Sequence, residues 1–154
     1  LMAGGFILNI ELTDFSMLPE INGKKIANRV EPNKRPMSSM TPTIIFKDNE
    51  LYALTGSPGG TSIINYVTKS VLGIIDWNLE PDEIVELPHY MNKGNYTELE
   101  KDSVIENLKS ELESKGHPVR VLKKRSGLHL AVKKEDGFIG SADPRREGLV
   151  IPIN

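Results

Sequence analysis

Two glycines at the start of a predicted helix could hold a negative charge. They are Gly59 and Gly60, in the run GSPGGTSII at 56–64. Glycine permits unusual backbone angles and a close approach of a ligand, and the first amides of a helix carry a partial positive charge. The run could bind a phosphate, a carboxylate or a developing oxyanion, although a plain strand-to-helix turn would use the same residues. A nucleotide P-loop is disfavoured, because Thr61 follows where a lysine is needed.

Two further pairs of side chains could bind the two charges of an amino acid. Ser38 and Ser39 lie in the run RPMSSMTP (35–42), where adjacent hydroxyls could donate to a carboxylate or form a serine turn. Glu11 and Asp14 could bind an ammonium group, lie in a solvated loop or cap a helix. Sites for an ammonium, a carboxylate and an oxyanion together fit acyl transfer on an amino-acid side chain, as in a γ-glutamyl amide.

The elements that must position these residues alternate between strands and helices. Apolar patterning predicts strands at 4–10, 43–46, 51–55, 119–123, 128–134 and 138–143, and helices at 61–77, 80–88 and 103–115. The polar stretch 11–42 between them is predicted to be a long ordered loop. Strands joined by hairpin-like links, without regular strand–helix alternation, predict an α+β fold with an antiparallel sheet and packed helices.

Each of the three predicted helices carries a start signal, which for the helix at 80–88 is Pro81. Thr61 or Ser62 could cap the helix at 61–77. The charged surface of this helix is thin, since only Lys69 and Asp76 interrupt it, and this predicts a largely buried helix. Ser103 and Glu106 have the spacing of a capping box at the start of 103–115. These signals place the two glycines directly before the first turn of a helix.

Composition limits the remaining classes of function. The chain has 154 residues, of which 38% are hydrophobic, and this predicts a single domain over 1–154. Its net charge of −2 gives no basic excess for nucleic acid, and no apolar run is long enough for a membrane span. The absence of cysteine excludes disulfides and thiol catalysis. The three histidines match no metal-ligand spacing, and we expect neither a metal nor a cofactor.

Six runs of sequence resemble the γ-glutamyltranspeptidases, specifically their C-terminal small subunit. The runs are NIELTDFS, KRPMSSMTPTIIF, TGSPGGTSII, IIDWNLEPDEIVELPH, ESKGHPV and GSADPRREG. The resemblance extends over about 5–149, nearly the whole chain. The resemblance implies the αββα sandwich of the N-terminal nucleophile hydrolases, of which this chain would be the small-subunit half.

The resemblance also implies site roles that agree with those suggested by chemistry. They are an oxyanion hole at Gly59 and Gly60, an α-carboxylate site at Ser38 and Ser39, and an α-ammonium site at Glu11 and Asp14. The nucleophile of the family is the N-terminal threonine created when the precursor cuts itself. That residue would lie upstream of Leu1, so we expect this chain alone to be inactive.

The implied partners are the large subunit of the same precursor and a small γ-glutamyl substrate, in a periplasmic or extracellular location, although cytoplasmic relatives exist. An exposed apolar edge at the first strand further predicts a homo-oligomer. Ile10 and Thr13 depart from the NN-x-x-DD run of the family, which reduces polar support for the ammonium site. The alternative is a catalytically inactive truncated homologue that binds amino acids or peptides, or serves as a structural subunit.

Overall fold

A computed structural model describes residues 2–7, 9 and 11–152 of the chain. The chain forms two compact units, Leu1–Ser39 and Met40–Asn154. The first unit is made of short elements and loops, whereas the second holds the main sheet and the helices. That the two units belong to one domain over 1–154 stays a prediction.

The first unit contains two short hairpins and one helical turn. Its elements are β1 (Met2–Ala3), β2 (Phe6–Ile7), a 3-10 helix (Glu11–Asp14), β3 (Glu20–Ile21) and β4 (Lys24–Lys25). β1 pairs antiparallel with β2, and β3 with β4. The rest of 11–39 has no regular strand or helix, in agreement with the predicted loop.

The predicted strand at 4–10 is wrong at its beginning. Gly4 and Gly5 have φ angles of +60° and +84°, so they form the turn between β1 and β2. Glycine adopts these angles without a steric penalty, which favours a tight hairpin turn over a continuous strand. The side chain of Phe6 is 63% exposed rather than buried. Leu8 and Ile10 lie outside the described residues.

The second unit contains two sheets and three α-helices. Its elements are β5 (Thr43–Lys47), β6 (Glu50–Gly56), a 3-10 helix (Gly60–Ser62), α1 (Ile63–Ile75), α2 (Pro81–Glu86), β7 (Tyr90–Asn92), β8 (Thr97–Glu100), a 3-10 helix (Val104–Leu108), α3 (Lys109–Ser114), β9 (Val119–Leu122), β10 (His129–Lys134) and β11 (Gly137–Ala142). The predicted strands and helices of this region are confirmed, apart from their exact ends. β7 and β8 were not predicted.

The main sheet is antiparallel and has the strand order β11-β10-β6-β5. Asp48 and Asn49 form the turn of the β5–β6 hairpin with φ angles of +51° and +64°. Asparagine and aspartate tolerate this left-handed region better than most residues. The turn chemistry of the sequence therefore fixes the register of this hairpin.

One face of the main sheet packs against α1 and α2. Ala53, Leu130 and Val132 contribute the sheet side of the buried core, and Ile74 and Ile84 contribute the helix side. Because side chains alternate across a strand, every second residue of β6 and β10 points to these helices. The result is one layer of sheet covered by one layer of helix.

The long helix α1 is buried on one face only. Tyr66, Val67 and Ile74 are buried, whereas Ile64 and Ile75 are half exposed, which limits the prediction of a largely buried helix. Lys69 was expected on the thin charged surface but is buried. α1 has 13 residues, and no helix among the described residues is long and apolar enough to span a bilayer.

The capping box predicted at Ser103 and Glu106 is wrong. The Ser103 hydroxyl donates back to the carbonyl of Glu100 (2.7 Å), and the Glu106 carboxylate accepts from the amide of Asp102 (2.7 Å). A tight turn after β8, with Asp102 at a φ of +60°, redirects both side chains. A capping box is formed instead at α2, between Glu80 and Glu83.

The second sheet has the order β7-β8-β9 and differs from the antiparallel expectation. β7 and β8 are antiparallel, but β8 and β9 are parallel. The 3-10 helix and α3 connect β8 to β9, and a parallel pair requires such a crossover. The helix that the sequence predicted at 103–115 therefore sets the direction of β9.

We predict that Gly73→Ala destabilises the protein by about 1–2 kcal/mol, because a buried methyl group would overpack the core. A Cβ on Gly73 would lie 2.8 Å from Cγ1 of Ile84, which is fully buried. The gain in helix propensity, about 1 kcal/mol, is too small to offset this contact. Chemical denaturation measures the change. In an Ile84→Ala background the penalty should disappear, and an equal penalty in both backgrounds would contradict the assignment.

Candidate active site

The predicted site residues are divided between the two units. Glu11, Asp14, Ser38 and Ser39 belong to the first unit, and Gly59 and Gly60 belong to the second. Within each unit the structure gives these residues a defined backbone. The assembly of all six around one substrate stays a prediction.

The two carboxylates lie on one 3-10 turn. Glu11 and Asp14 are the first and last residues of this turn, and residues three apart in a 3-10 helix project from the same side. The Glu11 amide donates to the side-chain oxygen of Asn9 (3.1 Å), and Phe15 is buried directly after the turn. Both carboxylates are partly exposed, so a cation can reach the pair from solvent.

An asparagine that the sequence analysis missed links this turn to the segment carrying the serines. The Asn28 side-chain amide donates to the carbonyl of Asp14 (2.7 Å), and its oxygen accepts from the amide of Met37 (2.9 Å). Ser38, which is exposed, and Ser39, which is partly buried, follow Met37 directly. The first unit thus brings the predicted ammonium and carboxylate sites into one hydrogen-bonded substructure. No local sequence pattern marks Asn28, because both of its partners are distant in the chain.

Gly59 and Gly60, here called the diglycine turn, both have positive φ angles. Gly59 has φ +144° and Gly60 has φ +57°, a region that favours glycine. A Cβ on Gly59 would lie 2.7 Å from the Tyr66 ring, whereas one on Gly60 would meet nothing within 4 Å. The 3-10 helix Gly60–Ser62 continues into α1, so the turn lies at the positive end of a helix. This geometry suits a developing negative charge.

The predicted helix caps at Thr61 and Ser62 are not formed by these side chains. Both hydroxyls instead accept hydrogen bonds from the Lys93 ammonium group, at 2.9 Å and 3.2 Å. Ser62 already has helical backbone angles, whereas a capping residue is usually extended. Lys93 lies between β7 and β8, the two strands that the sequence did not predict, so its contact with the helix start was missed.

A buried histidine connects α1 to two segments far along the chain. His89 Nδ1 lies 2.8 Å from Lys69 Nζ, and its Nε2 lies 2.7 Å from Ser126 Oγ. The Ser126 hydroxyl donates its only hydrogen to Asp143 (2.5 Å). The histidine must therefore donate from Nε2 to Ser126 and accept at Nδ1 from Lys69. This arrangement defines a neutral histidine with one tautomer.

Lys69 has three acceptors for its three hydrogens. They are His89 Nδ1 and the carbonyl oxygens of Leu87 (2.5 Å) and Pro88 (3.2 Å). The two carbonyls follow the end of α2, where the last groups of a helix lack partners within it. A lysine of α1 thus joins α1 to the chain after α2.

Arg145 and Glu100 complete this cluster. The guanidinium of Arg145 donates to both carboxylate oxygens of Glu100, one at 2.9 Å, and to Asp143 at 3.1 Å. The backbone amide of His89 also donates to Glu100 (2.7 Å). We call the six side chains the buried polar network: Lys69, His89, Glu100, Ser126, Asp143 and Arg145.

Burial shifts the pKa values within this network. It lowers the pKa of Lys69 to about 7, and the positive charge of Arg145 acts in the same direction. Burial also lowers the pKa of His89, in agreement with a neutral ring. Burial alone would raise the pKa of Asp143, but hydrogen bonds from the Ser126 hydroxyl and from the backbone amides of Arg145 and Leu128 hold it well below its usual range.

Comparison with known proteins gives consistent matches. A family model described as gamma-glutamyltranspeptidase matches residues 1–153. The glutathione hydrolase proenzyme of Bacillus subtilis (strain 168) is 40% identical over 97% of this chain and 25% of that protein. That of Escherichia coli (strain K12) is 38% identical over 92% of this chain and 26% of that protein. The chain thus spans about a quarter of the length of these curated relatives.

A solved structure is similar over most of both chains. The crystal structure of a mutant gamma-glutamyltranspeptidase from Helicobacter pylori shares 34% sequence identity, covers 93% of this chain and 83% of that chain, and superimposes with a TM-score of 0.77. This likeness confirms the predicted α+β fold, as the partial small-subunit half of an N-terminal nucleophile hydrolase sandwich.

The lowered pKa of Lys69 predicts a pH-dependent stability. Folding weakens proton binding by this lysine, so the free energy of unfolding should rise as pH increases from about 7 to about 10.5. Lys69→Met removes this contribution. Thermal unfolding across this window should show the wild type gaining stability relative to Lys69→Met as pH rises.

Lys109→Met is the matched control, because it removes the same charge from a half-exposed position on α3. The difference in free energy of unfolding between Lys109→Met and the wild type should stay constant with pH. A constant difference for Lys69→Met as well would contradict the assigned role of the buried lysine.

Proposed function

Because this chain belongs to the gamma-glutamyltranspeptidase family, we propose that the protein carrying it transfers or hydrolyses γ-glutamyl groups, as in the cleavage of glutathione. The observation that carries the proposal is the diglycine turn, in which two successive left-handed glycines open a helix. The donor is a γ-glutamyl amide, and the acceptor is water, an amino acid or a peptide. The family is one of enzymes, and this chain supplies part of the active site.

The reaction proceeds through an acyl-enzyme. An N-terminal threonine outside this chain attacks the γ-carbonyl carbon, with its own α-amine as the base. The C–N bond of the amide breaks, the leaving amine takes the proton, and an ester to the threonine remains. Water or an acceptor amine then attacks this ester and releases glutamate or a new γ-glutamyl amide. Without the threonine, this chain alone has no turnover.

The diglycine turn stabilises the charge that develops in both steps. The amides of Gly59 and Gly60 donate to the carbonyl oxygen as it becomes an oxyanion. This stabilisation is larger in the transition state than in the ground state, so it raises the rate rather than only the affinity. The partial positive charge at the start of α1 and the ammonium group of Lys93 add to the favourable potential.

The first unit recognises the amino-acid end of the donor. Glu11 and Asp14 bind the α-ammonium group, and Ser38 and Ser39 donate to the α-carboxylate. Asn28 supports this assignment, because it hydrogen-bonds to both segments and fixes their spacing. Charge-assisted hydrogen bonds of this kind contribute about 1.5–3 kcal/mol each.

The large subunit of the same precursor covers the open face of the main sheet. Ile44, Leu54, Ala131 and Gly140 form one row across the four strands of this sheet, and Ile44 is 59% exposed. A cavity of about 600 Å³ lies along this row. A second sheet packed here would bury the row and complete a sandwich of four layers. The relatives named proenzymes support a partner from the same precursor.

Two further proposals concern the location of the protein and its association with a second copy. The protein acts in the periplasm or outside the cell, as most members do, although cytoplasmic relatives exist. Association with a second copy of the chain stays a prediction. The continuous first strand from which it was predicted is replaced by the β1–β2 hairpin.

The test of the proposed function uses the complete gene product and three anilide substrates. γ-Glutamyl anilide carries both charged groups, 4-aminobutanoyl anilide lacks the α-carboxylate, and glutaryl anilide lacks the α-amine. We predict cleavage of γ-glutamyl anilide, with kcat/KM for each truncated analogue lower by at least about tenfold. Equal turnover of all three substrates would exclude a site built for a zwitterion.

Variants of the serines assign the carboxylate site. Ser38→Ala and Ser39→Ala should each raise KM for γ-glutamyl anilide by about tenfold to a hundredfold, without a similar effect on the analogue that lacks the carboxylate. Ser16→Ala is the matched control, because the Ser16 hydroxyl donates within its own loop to Leu18 (2.8 Å). An equal loss on both substrates would show that the serines do not contact the carboxylate.

A further inference from the structure

The aromatic ring of Tyr66 lies directly against the diglycine turn. Tyr66 is 3% exposed, and its Cε2 atom lies 2.7 Å from the position that a Cβ on Gly59 would occupy. The amide of Ser62 donates to the carbonyl of Gly59 (3.2 Å), which closes the segment that carries the two amides. The ring of Tyr66 therefore packs against the first residue of this closed segment.

The position of Tyr66 is in turn fixed by His89. The two rings lie 4.2 Å apart between centroids, at an angle of 49°. His89 is held at Nδ1 by Lys69, at Nε2 by Ser126 and at its backbone amide by Glu100. A ring bound at both of its nitrogens, on a backbone that is itself hydrogen-bonded, cannot rotate away without breaking buried hydrogen bonds, each of which is costly to leave unmade.

We infer that Tyr66 is a positioning residue for the Gly59 and Gly60 amides, and that the buried polar network acts on the reaction by holding Tyr66 through His89. The inference rests on the proposed function, in which these amides receive the oxyanion. Neither Tyr66 nor His89 touches substrate in this account. Their effect is on the direction in which the two amides point, and a small misplacement of a catalytic group reduces the rate strongly.

The first experiment separates kcat from KM in the complete gene product. Tyr66→Leu should lower kcat for γ-glutamyl anilide by about tenfold to a hundredfold and leave KM within about twofold, because oxyanion donors act mainly in the transition state. Rates are expressed per active site titrated with an irreversible γ-glutamyl analogue. A merely structural role would reduce the number of titrated sites and leave kcat per site unchanged, which would overturn the inference.

Two matched variants define what the ring does. Tyr66→Phe keeps the ring and should keep kcat within about threefold, since packing against Gly59 remains. Tyr90→Leu changes a half-exposed tyrosine next to His89 in sequence and should leave kcat and KM unchanged. A loss of kcat in Tyr90→Leu equal to that in Tyr66→Leu would contradict a specific role for Tyr66.

A second variant tests the same inference and keeps it testable even if Tyr66→Leu folds poorly. Lys69→Met combined with His89→Leu replaces both partners of a buried hydrogen bond, which is less disruptive than removing one. This double variant removes the histidine ring beside Tyr66 and should lower kcat per titrated site at least fivefold. The affinity for a tetrahedral phosphonate analogue should fall by the same factor as kcat/KM. An unchanged kcat per titrated site together with an unchanged affinity for the phosphonate would overturn the link between the buried polar network and the diglycine turn.

Hydrogen–deuterium exchange of the segment 56–63 tests the positioning independently of activity. Tyr66→Leu should speed exchange in this segment relative to the wild type, and Tyr66→Phe should not. A wild type with no γ-glutamyl activity would refute the proposed function, and faster exchange would still support the positioning role. Identical exchange in all three proteins would overturn the inference even if the proposed function holds.

Discussion

Burying six polar and charged side chains in one cluster is the constraint on which the second unit depends. The buried polar network joins α1, the end of α2, β8 and the segment after β11. A charged group in the interior costs several kcal/mol unless it is paired and hydrogen-bonded. Each member meets this condition only when the other segments are in place. The network therefore makes the arrangement of these segments specific, in addition to the stability supplied by the apolar core.

This constraint acts near the place where the chemistry is proposed. The apolar core between sheet and helices tolerates small shifts, because similar side chains can repack. Hydrogen bonds tolerate only smaller shifts than apolar contacts do, since the strength of a hydrogen bond depends on distance and angle. His89 has a defined tautomer and a defined ring plane, and Tyr66 packs on that plane. The start of α1 is thus supported by directional contacts rather than by apolar packing alone.

Elements whose structure is determined locally could be predicted from the sequence. The β5–β6 hairpin follows from a short polar stretch between two apolar runs, and α2 follows from Pro81 at its first position. The diglycine turn was recognised because two glycines before a helix are visible in the residues themselves. The resemblance to a family predicts roles for the serines and carboxylates that spacing alone left open, and these roles stay predictions.

Contacts between residues that are distant in the chain could not be predicted from local sequence patterns. The sequence pattern predicted Lys69 on the charged surface of its helix, because its carbonyl acceptors at Leu87 and Pro88 lie about twenty residues away in the chain. Asn28 has no local pattern and is defined by contacts with two other segments. Ser103 and Glu106 are a different case: they have the spacing of a capping box, but the tight turn after β8 gives both side chains other partners nearby in the chain. β7 and β8 are short and rich in polar residues, so alternation did not mark them.

The geometry of Gly59 restricts what can replace it in two separate ways. Its φ angle opposes every residue with a side chain, and the Tyr66 ring occupies the space that such a side chain would need. A smaller side chain at position 66 would remove only the steric obstacle and would leave the unfavourable φ angle. No single compensating substitution can therefore admit another amino acid at this position. Position 59 must remain glycine as long as the turn keeps its shape.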